Sequence, residues 1–344
     1  MIFSETEITE LKNKIQKSNT ITLVSHFNPD GDSIGAVSAL SHYLISQNKT
    51  IKVIIPNEYP SFLEFVMKNV PHIIASKQSE EAKLAFTETD LIICLDFNSI
   101  TRVGDMLKDS LLESEKIKVL IDHHLYPEKD NFDLIFSKIN VSSTSELLYE
   151  VMFLLEGDNS FINKRISQSL YLGICTDTGS FSFSCNERRI YEVVGDLVDN
   201  GAEPEFVHQI VYNTYSEQRL RLLGFCLCER LRVFPKHGVA FIYLSKSDLR
   251  RFNYQIGDCE GIVNYCLSIE GIEFGALITE RADRVRLSFR SKHNFDVNVF
   301  SKTYWNGAGH KKAAGGHSFE KLDTVIERFI KQIEDIELKK ENEN

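Results

Sequence analysis

The apolar run Lys118-Val119-Leu120-Ile121 stops at Asp122-His123-His124, and this ending constrains the chain more than any other stretch. An aspartate and two histidines where a strand stops are poor core material and good metal ligands. Three further acidic stretches stand as its partners: Ser25-His26-Phe27-Asn28-Pro29-Asp30-Gly31-Asp32, Cys94-Leu95-Asp96 and Cys175-Thr176-Asp177-Thr178-Gly179. Residues 20–25 are β-branched and apolar and run straight into His26, and residues 90–95 end at Asp96. Together with 51–55, closed by Pro56, and 118–121, they make four predicted strands. Helical spacing marks 5–18, then 33–46 through Ile34, Val37, Leu40, Tyr43 and Leu44, then 79–87 and 105–115. This alternation predicts an α/β fold with a mostly parallel sheet wrapped by helices. Ligands bind such sheets beyond the carboxyl ends of the strands, where three of the four acidic stretches fall.

A chain of 344 residues predicts two domains. Ser143-Thr144-Ser145-Glu146 reads as a capping box opening a helix to about Leu155. Ile162, Ile166, Leu170 and Ile174 predict a helix over 162–175, so Asp177 should follow a helix and not a strand. Another helix is expected over 187–200, closed by Gly201, and a long one over 205–232 as interdomain connector. From Val233 the texture changes. Pro235-Lys236-His237-Gly238 reads as the turn of a hairpin, 259–267 as a helix, and 273–279 and 285–289 as strands. A closing helix over 322–336 and a solvated tail over 337–344 complete the expectation.

Bulk properties narrow the function. A net charge of −10 argues against a wide basic face for long nucleic acid, and leaves room for a short anionic substrate held at one site. No apolar stretch reaches the ~18 residues of a membrane span. The start lacks a basic and apolar leader, and the seven cysteines form no C-x-x-C pair, so reduced thiols and a cytoplasmic location are expected.

Each candidate has an ordinary explanation by itself. Asp30-Gly31-Asp32 alone is a turn, His26 a hydrogen-bonded loop histidine, and Asp96 or Asp122 a helix cap. Four such coincidences at one predicted sheet edge favour a site. Carboxylates mixed with imidazoles, and no thiolate, suit manganese, iron, cobalt or zinc. The set exceeds the needs of one ion. Two ions ~3.5–4 Å apart would use it well and would activate water for a phosphoryl displacement.

The pattern resembles the DHH phosphoesterase family, which is named for the triplet here at Asp122-His123-His124. Its motifs match in order: His26-x-x-x-Asp30-x-Asp32, Asp96, the triplet, and Asp177 within Thr176-Asp177-Thr178-Gly179-Ser180-Phe181. The second half resembles the DHH-associated C-terminal domain through Gly307-Ala308-Gly309-His310 and Ala313-Ala314-Gly315-Gly316. Ala308 departs from a usual glycine and Ala36 from a common serine. Gly261-Ile262-Val263-Asn264 and Ser288-Phe289-Arg290-Ser291 favour the branch of stand-alone oligoribonucleases that also act on pAp (3'-phosphoadenosine 5'-phosphate).

The resemblance implies a hydrolytic domain over 1–200, a helical linker over 201–230 and a smaller α/β substrate-binding domain over 231–338, with the cleft between the domains. It implies two divalent ions, manganese, one on His26, Asp30 and Asp96 and one on Asp32, Asp96, His123 and Asp177. Asp96 would bridge, Asp122 would orient a ligand histidine, and His124 would serve the scissile phosphate. Arg290, Ser291, Gly309, His310, Gly315 and Gly316 would hold substrate. For the glycine-rich stretch, close backbone approach to a phosphate and the dipole of a following helix are the physical rationale. Arg284, Arg286, Ser288 and Arg290 alternate along one strand face, and a guanidinium clamp is assigned to Arg290 only. Short RNA and pAp are the implied substrates. A cyclic- or linear-dinucleotide phosphodiesterase is the main rival, followed by a single-strand DNA exonuclease. A homodimer is an open option, and no membrane association is expected.

Overall fold

The computed structural model describes residues 3–334. The chain divides into two compact units, Met1–Thr214 and Tyr215–Asn344. In the first unit the strands are β1 (Thr20–Val24), β2 (Thr50–Ile55), β3 (His72–Ile74), β4 (Leu91–Leu95), β5 (Ile117–Asp122) and β6 (Leu134–Ser137). They form one six-stranded sheet in the order β3-β2-β1-β4-β5-β6, parallel at every pairing. Its helices are α1 (Glu5–Lys17), α2 (Gly31–Ser46), α3 (Glu64–Met67), α4 (Ser79–Thr87) and α5 (Asp105–Glu113). After the sheet come α6 (Thr144–Glu156), α7 (Lys164–Asp177), α8 (Arg188–Asp199) and α9 (Pro204–Tyr212). The central strands are buried on both faces, as their unbroken Ile, Val and Leu runs dictate. One apolar cluster lies under α1, α2, α6 and α7, the other under α4 and α5.

The strand order reverses between β1 and β4, which lie side by side with Val24 opposite Cys94. That switch point opens a crevice at the carboxyl ends, and His26 and Asp96 leave the sheet on its two sides. Helices α2 and α7 pack closely because glycines line their crossing. A β-carbon at Gly35 would stand 2.5 Å from the Ser169 carbonyl oxygen, and one at Gly31 2.3 Å from Thr176 Oγ1. This approach brings the start of α2, with Asp32, beside the end of α7, with Asp177.

The second unit holds β7 (Leu231–Phe234), β8 (Val239–Leu244), β9 (Phe274–Glu280), β10 (Val285–Ser291), β11 (Ala308–Gly309) and β12 (Ala313–Ser318). They form a mixed sheet in the order β11-β12-β10-β9-β8-β7, parallel only between β8 and β9. Helices α10 (Glu217–Phe225), α11 (Lys246–Arg251) and α12 (Asn264–Leu267) share one apolar cluster. Helices α13 (Val297–Tyr304) and α14 (Leu322–Glu334) share another, built on Phe274, Phe289, Phe300 and Phe329.

Several expectations need correction. The edge strands β3 and β6 were not foreseen. The connector is not one helix: α9 stops at Tyr212, and Ser216 caps α10 through a hydrogen bond from the Arg219 amide. Only 264–267 of the helix expected over 259–267 is helical, because Gly257 and Gly261 hold positive φ of 98° and 78°. The glycine-rich stretch does not run into a helix: β12 continues to Ser318, and α14 begins only at Leu322. The stretch is the β11–β12 hairpin, and its glycines answer to packing: a β-carbon at Gly316 would stand 2.7 Å from Trp305 Cβ. Residues 335–336 of the closing helix and the tail over 337–344 lie outside the described residues.

Candidate metal centre

Four local structures converge on the crevice of the first unit. Asp30 caps α2, its Oδ1 accepting from the amides of Asp32 and Ser33 at 3.1 Å each. The following helix therefore starts with Asp32 turned into the protein, where it is 1% exposed. Asp96 follows β4 with φ of 67°, the left-handed region in which Asp is tolerated more readily than most residues. Asp122 closes β5 and is fully buried, and Asp177 is the last residue of α7, which runs two residues past the expected end at 175 and so includes it.

The donor atoms of His26, Asp30 and Asp96 lie within 4.8 Å of one another, and so do those of Asp32, Asp96 and His123. Asp96 is common to both sets. His26 Nε2 stands 3.5 Å from its Oδ2, and His123 Nε2 stands 3.7 Å from its Oδ1. His123 Nε2 also lies 3.5 Å from Asp177 Oδ2 and 4.0 Å from Asp32 Oδ2. His26 Nδ1 donates to the Phe27 carbonyl at 3.0 Å, which aims Nε2 at the carboxylates. Asp122 takes a different part. Its Oδ1 accepts from His124 Nδ1 at 2.6 Å and its Oδ2 from the His124 amide at 3.0 Å, so it orients His124.

The start of α6 supplies donors that no local pattern reveals. Asp32 accepts from the amides of Thr144 at 2.7 Å and Ser145 at 2.9 Å, and Thr144 Oγ1 donates to Asp96 at 2.8 Å. The helix N-terminus thus faces two buried carboxylates. Ser143 caps the helix as expected, but Glu146 reaches back to the Ser142 amide at 2.7 Å instead of the cap residue's own.

Electrostatics fit a divalent cation. Burial pushes the Asp96 carboxyl up to about 7, with the Asp32 charge adding to it and His26 opposing. Burial also raises Asp32, to about 6, against the hydrogen bonds from Ser145 and Thr144. Burial disfavours charging His26, yet its contacts with Asp30 and Asp96 outweigh that and lift it to about 10. Asp32, Asp96 and His26, which otherwise draw protons, offer their donor atoms to a dication that would displace the protons. Burial, with His123 and Arg102 nearby, holds His124 well below the usual imidazole range.

The second unit places the remaining candidates. Along β10, Val285, Leu287 and Phe289 are buried while Arg286 is exposed and Ser288 and Arg290 are half-buried, so the alternation holds. Arg290 Nη1 donates to the Phe289 carbonyl at 3.0 Å. Ser291 lies on the other face, buried, its hydroxyl donating to the Phe295 carbonyl at 2.7 Å. Gly315 and Gly316 pair with Ser288 and Leu287 across the strands, and His310 opens the turn after Gly309.

Residues 20–174 match the DHH family, N-terminal domain, and residues 238–336 match the DHHA1 domain. A crystal structure of an exopolyphosphatase-related protein from Bacteroides fragilis superposes with a TM-score of 0.90 at 35% identity, covering 96% of each chain. The bifunctional oligoribonuclease and PAP phosphatase NrnA of Bacillus subtilis is 27% identical over 92% of this chain and 96% of that protein. The cyclic-di-AMP phosphodiesterase GdpP of Bacillus subtilis is 24% identical over 94% of this chain but only 49% of its own length. With the acidic cluster, both domains in order and a relative of such identity along nearly the whole chain, this protein belongs to the DHH family of phosphoesterases, hydrolases of phosphoester bonds.

Proposed function

We propose that this protein is a manganese-dependent phosphoesterase that degrades very short RNA and dephosphorylates pAp in the cytoplasm. The observation that carries the reading is Asp96, whose carboxylate belongs to both donor sets. The alignment along almost all of the NrnA chain supports the substrate class. His26 and Asp30 would hold one ion with Asp96, and Asp32, His123 and Asp177 the other. Bound there, two such ions supply activated water and brace the charge of the displaced phosphoryl group.

The chain's own residues do the rest. Thr144 and Ser145 keep Asp32 and Asp96 in fixed orientation through the contacts described above, so the ligands need not reorganise during turnover. Asp122 fixes the His124 ring by accepting from Nδ1, which leaves Nε2 as the atom that would serve the scissile phosphate or its leaving oxygen. Arg290 and His310 in the second unit would grip a substrate phosphate, Arg290 by a forked contact. The glycines Gly309, Gly315 and Gly316 would keep that stretch of backbone bare of side chains. Ser291 would act indirectly, bracing the end of β10 through the Phe295 carbonyl.

A second reading, cyclic-dinucleotide phosphodiesterase, is favoured by the match to GdpP across 94% of this chain. Product analysis with manganese on pAp, a dinucleotide, a 5-mer, a 24-mer and cyclic di-AMP separates the two. The proposal expects turnover of the first three with little on the last two. Preferential opening of cyclic di-AMP would replace it with the second reading.

A further inference from the structure

We propose that Phe27 and Arg102 form a nucleotide-binding lip beside the metal cluster, with the Phe27 ring as the platform on which the base of the bound nucleotide stacks. The inference rests on the phosphoesterase reading above and adds how a nucleotide, rather than any small phosphoester, is chosen. Phe27 follows the candidate ligand His26 directly, yet its large apolar side chain is 48% exposed. It is not a loose surface residue. Its carbonyl accepts from His26 Nδ1, and its amide donates to the Arg102 carbonyl at 2.7 Å. The next residue, Asn28, holds φ of 56° and donates its amide to Asn57 Oδ1 at 2.6 Å. The ring is backed by Gly104, where a β-carbon would stand 3.0 Å from Phe27 Cδ2, and Gly104 itself has φ of 83°. A pinned ring with backbone behind it and half its surface open is the geometry of a stacking platform, since every base presents a π-face.

Arg102 adds the complementary charge. It sits in the 3-10 turn Ile100–Val103, which is capped by Ser99 and tied by the Ile100 amide to Glu128 at 3.2 Å. Its carbonyl accepts from the Phe27 amide at 2.7 Å, which ties the turn that carries it directly to the residue after His26. A half-buried cation on a turn bonded to Phe27 suits an anion arriving beside the ring, and a nucleoside phosphate presents a base and a phosphate at adjacent positions. The ring and the guanidinium thus meet both halves of one ligand.

The test compares Phe27→Ala, Phe27→Leu and Phe27→Tyr on a dinucleotide and on the same dinucleotide made abasic at either position. Manganese content is measured in each variant. Phe27→Ala should raise KM for the intact dinucleotide roughly 5- to 150-fold, the range of one base–aromatic stack, with kcat little changed. The abasic substrate should lose nothing further, Phe27→Tyr should restore most of the affinity, and Phe27→Leu should not. Arg102→Gln should weaken the intact and abasic substrates alike. Equal losses on both substrates in Phe27→Ala, or loss of manganese, would mean that the ring merely supports His26 and would overturn the lip. A Phe27→Leu variant as good as Phe27→Tyr would also overturn it. If the wild-type protein turns over neither dinucleotide nor pAp, the functional reading fails first. The lip is then read by binding alone, as quenching of a 2-aminopurine nucleotide that the wild type shows and Phe27→Ala lacks; equal quenching in both, or none in either, would reject it.

Discussion

The two units each build a six-stranded sheet, but they present chemistry in different ways. The first sheet is parallel and covered on both faces, so functional groups can appear only where strands end; His26, Asp96 and Asp122 all do so. The second is mixed, and β10 turns Arg286, Ser288 and Arg290 away from the aromatic core that takes Val285, Leu287 and Phe289. Edge loops of a parallel sheet gather groups from several strands into one buried point, which suits ions that need converging carboxylates. A strand face spreads its groups ~6.6 Å apart, which suits contacts along an extended anion. On the function proposed above, reaction falls to the first unit and grip to the second.

The largest expected effect lies in the first unit. His123→Ala should lose metal and abolish turnover, as should exhaustive chelation of the wild type; full activity after either would end the assignment of the cluster. His124→Ala should keep its manganese and turn over ~10²–10⁴-fold more slowly, the usual contribution of a group that serves the leaving oxygen or the transition-state charge. If its metal content falls as far as that of His123→Ala, His124 is a ligand and the division of roles at Asp122-His123-His124 is wrong.

In the second unit the effect should be smaller and of another kind. If the proposed grip is right, Arg290→Ala and His310→Ala should each lose a charge-assisted phosphate contact, ~1.5–3 kcal/mol or roughly 10- to 150-fold, expressed in KM more than in kcat. The dinucleotide should suffer most and a small activated phosphodiester hardly at all. Equal losses on both would place these residues in support of the catalytic centre.

A matched glycine pair sharpens the comparison through stability. A β-carbon at Gly173 would stand 1.9 Å from Ser145 Oγ and 2.7 Å from Asp32 Oδ1, whereas one at Gly316 meets Trp305. Gly173→Ala and Gly316→Ala should each cost ~1–3 kcal/mol in denaturant unfolding through overpacking. Only Gly173→Ala should weaken metal binding, and a calorimetric titration with manganese reads the difference.

The smallest effect concerns acid. Burial works against the Asp248 charge, but the two hydrogen bonds from Arg230, at 2.9 and 3.1 Å, hold it below the usual carboxylate range. A folded pKa below the unfolded value of about 3.9 stabilises at neutral pH, and that contribution fades as pH falls through the folded value. The destabilisation by Asp248→Asn, roughly 1 kcal/mol at pH 7, should therefore shrink below pH 4. A constant difference would show that the pair contributes by packing alone.

Much of this was readable in the residues, for physical reasons that also explain the gaps. Buried parallel strands write themselves as apolar runs, and the acids at their ends stand out because nothing else in a core would tolerate them. Helix α6 carries both period and a cap, Ser143. The edge strand β3 spans only His72–Ile74, too short for any period to show. The contacts of Thr144 and Ser145 with Asp32 and Asp96 are hidden because Ser143-Thr144-Ser145-Glu146 has a sufficient local reading as a capping box, of which only the Ser143 half forms. Glycines misled once: Gly307 and Gly316 exist to let the β11–β12 hairpin press on Ser301 and Trp305, a tertiary requirement that no local pattern carries.

The central claim is that one carboxylate, Asp96, serves two ions, and counting bound manganese per chain in the wild type and in Asp96→Asn tests it most directly. The account predicts two ions per chain in the wild type, at most one in the variant, and loss of turnover with circular dichroism and thermal unfolding showing an intact fold. Two ions retained in Asp96→Asn with undiminished turnover would contradict it.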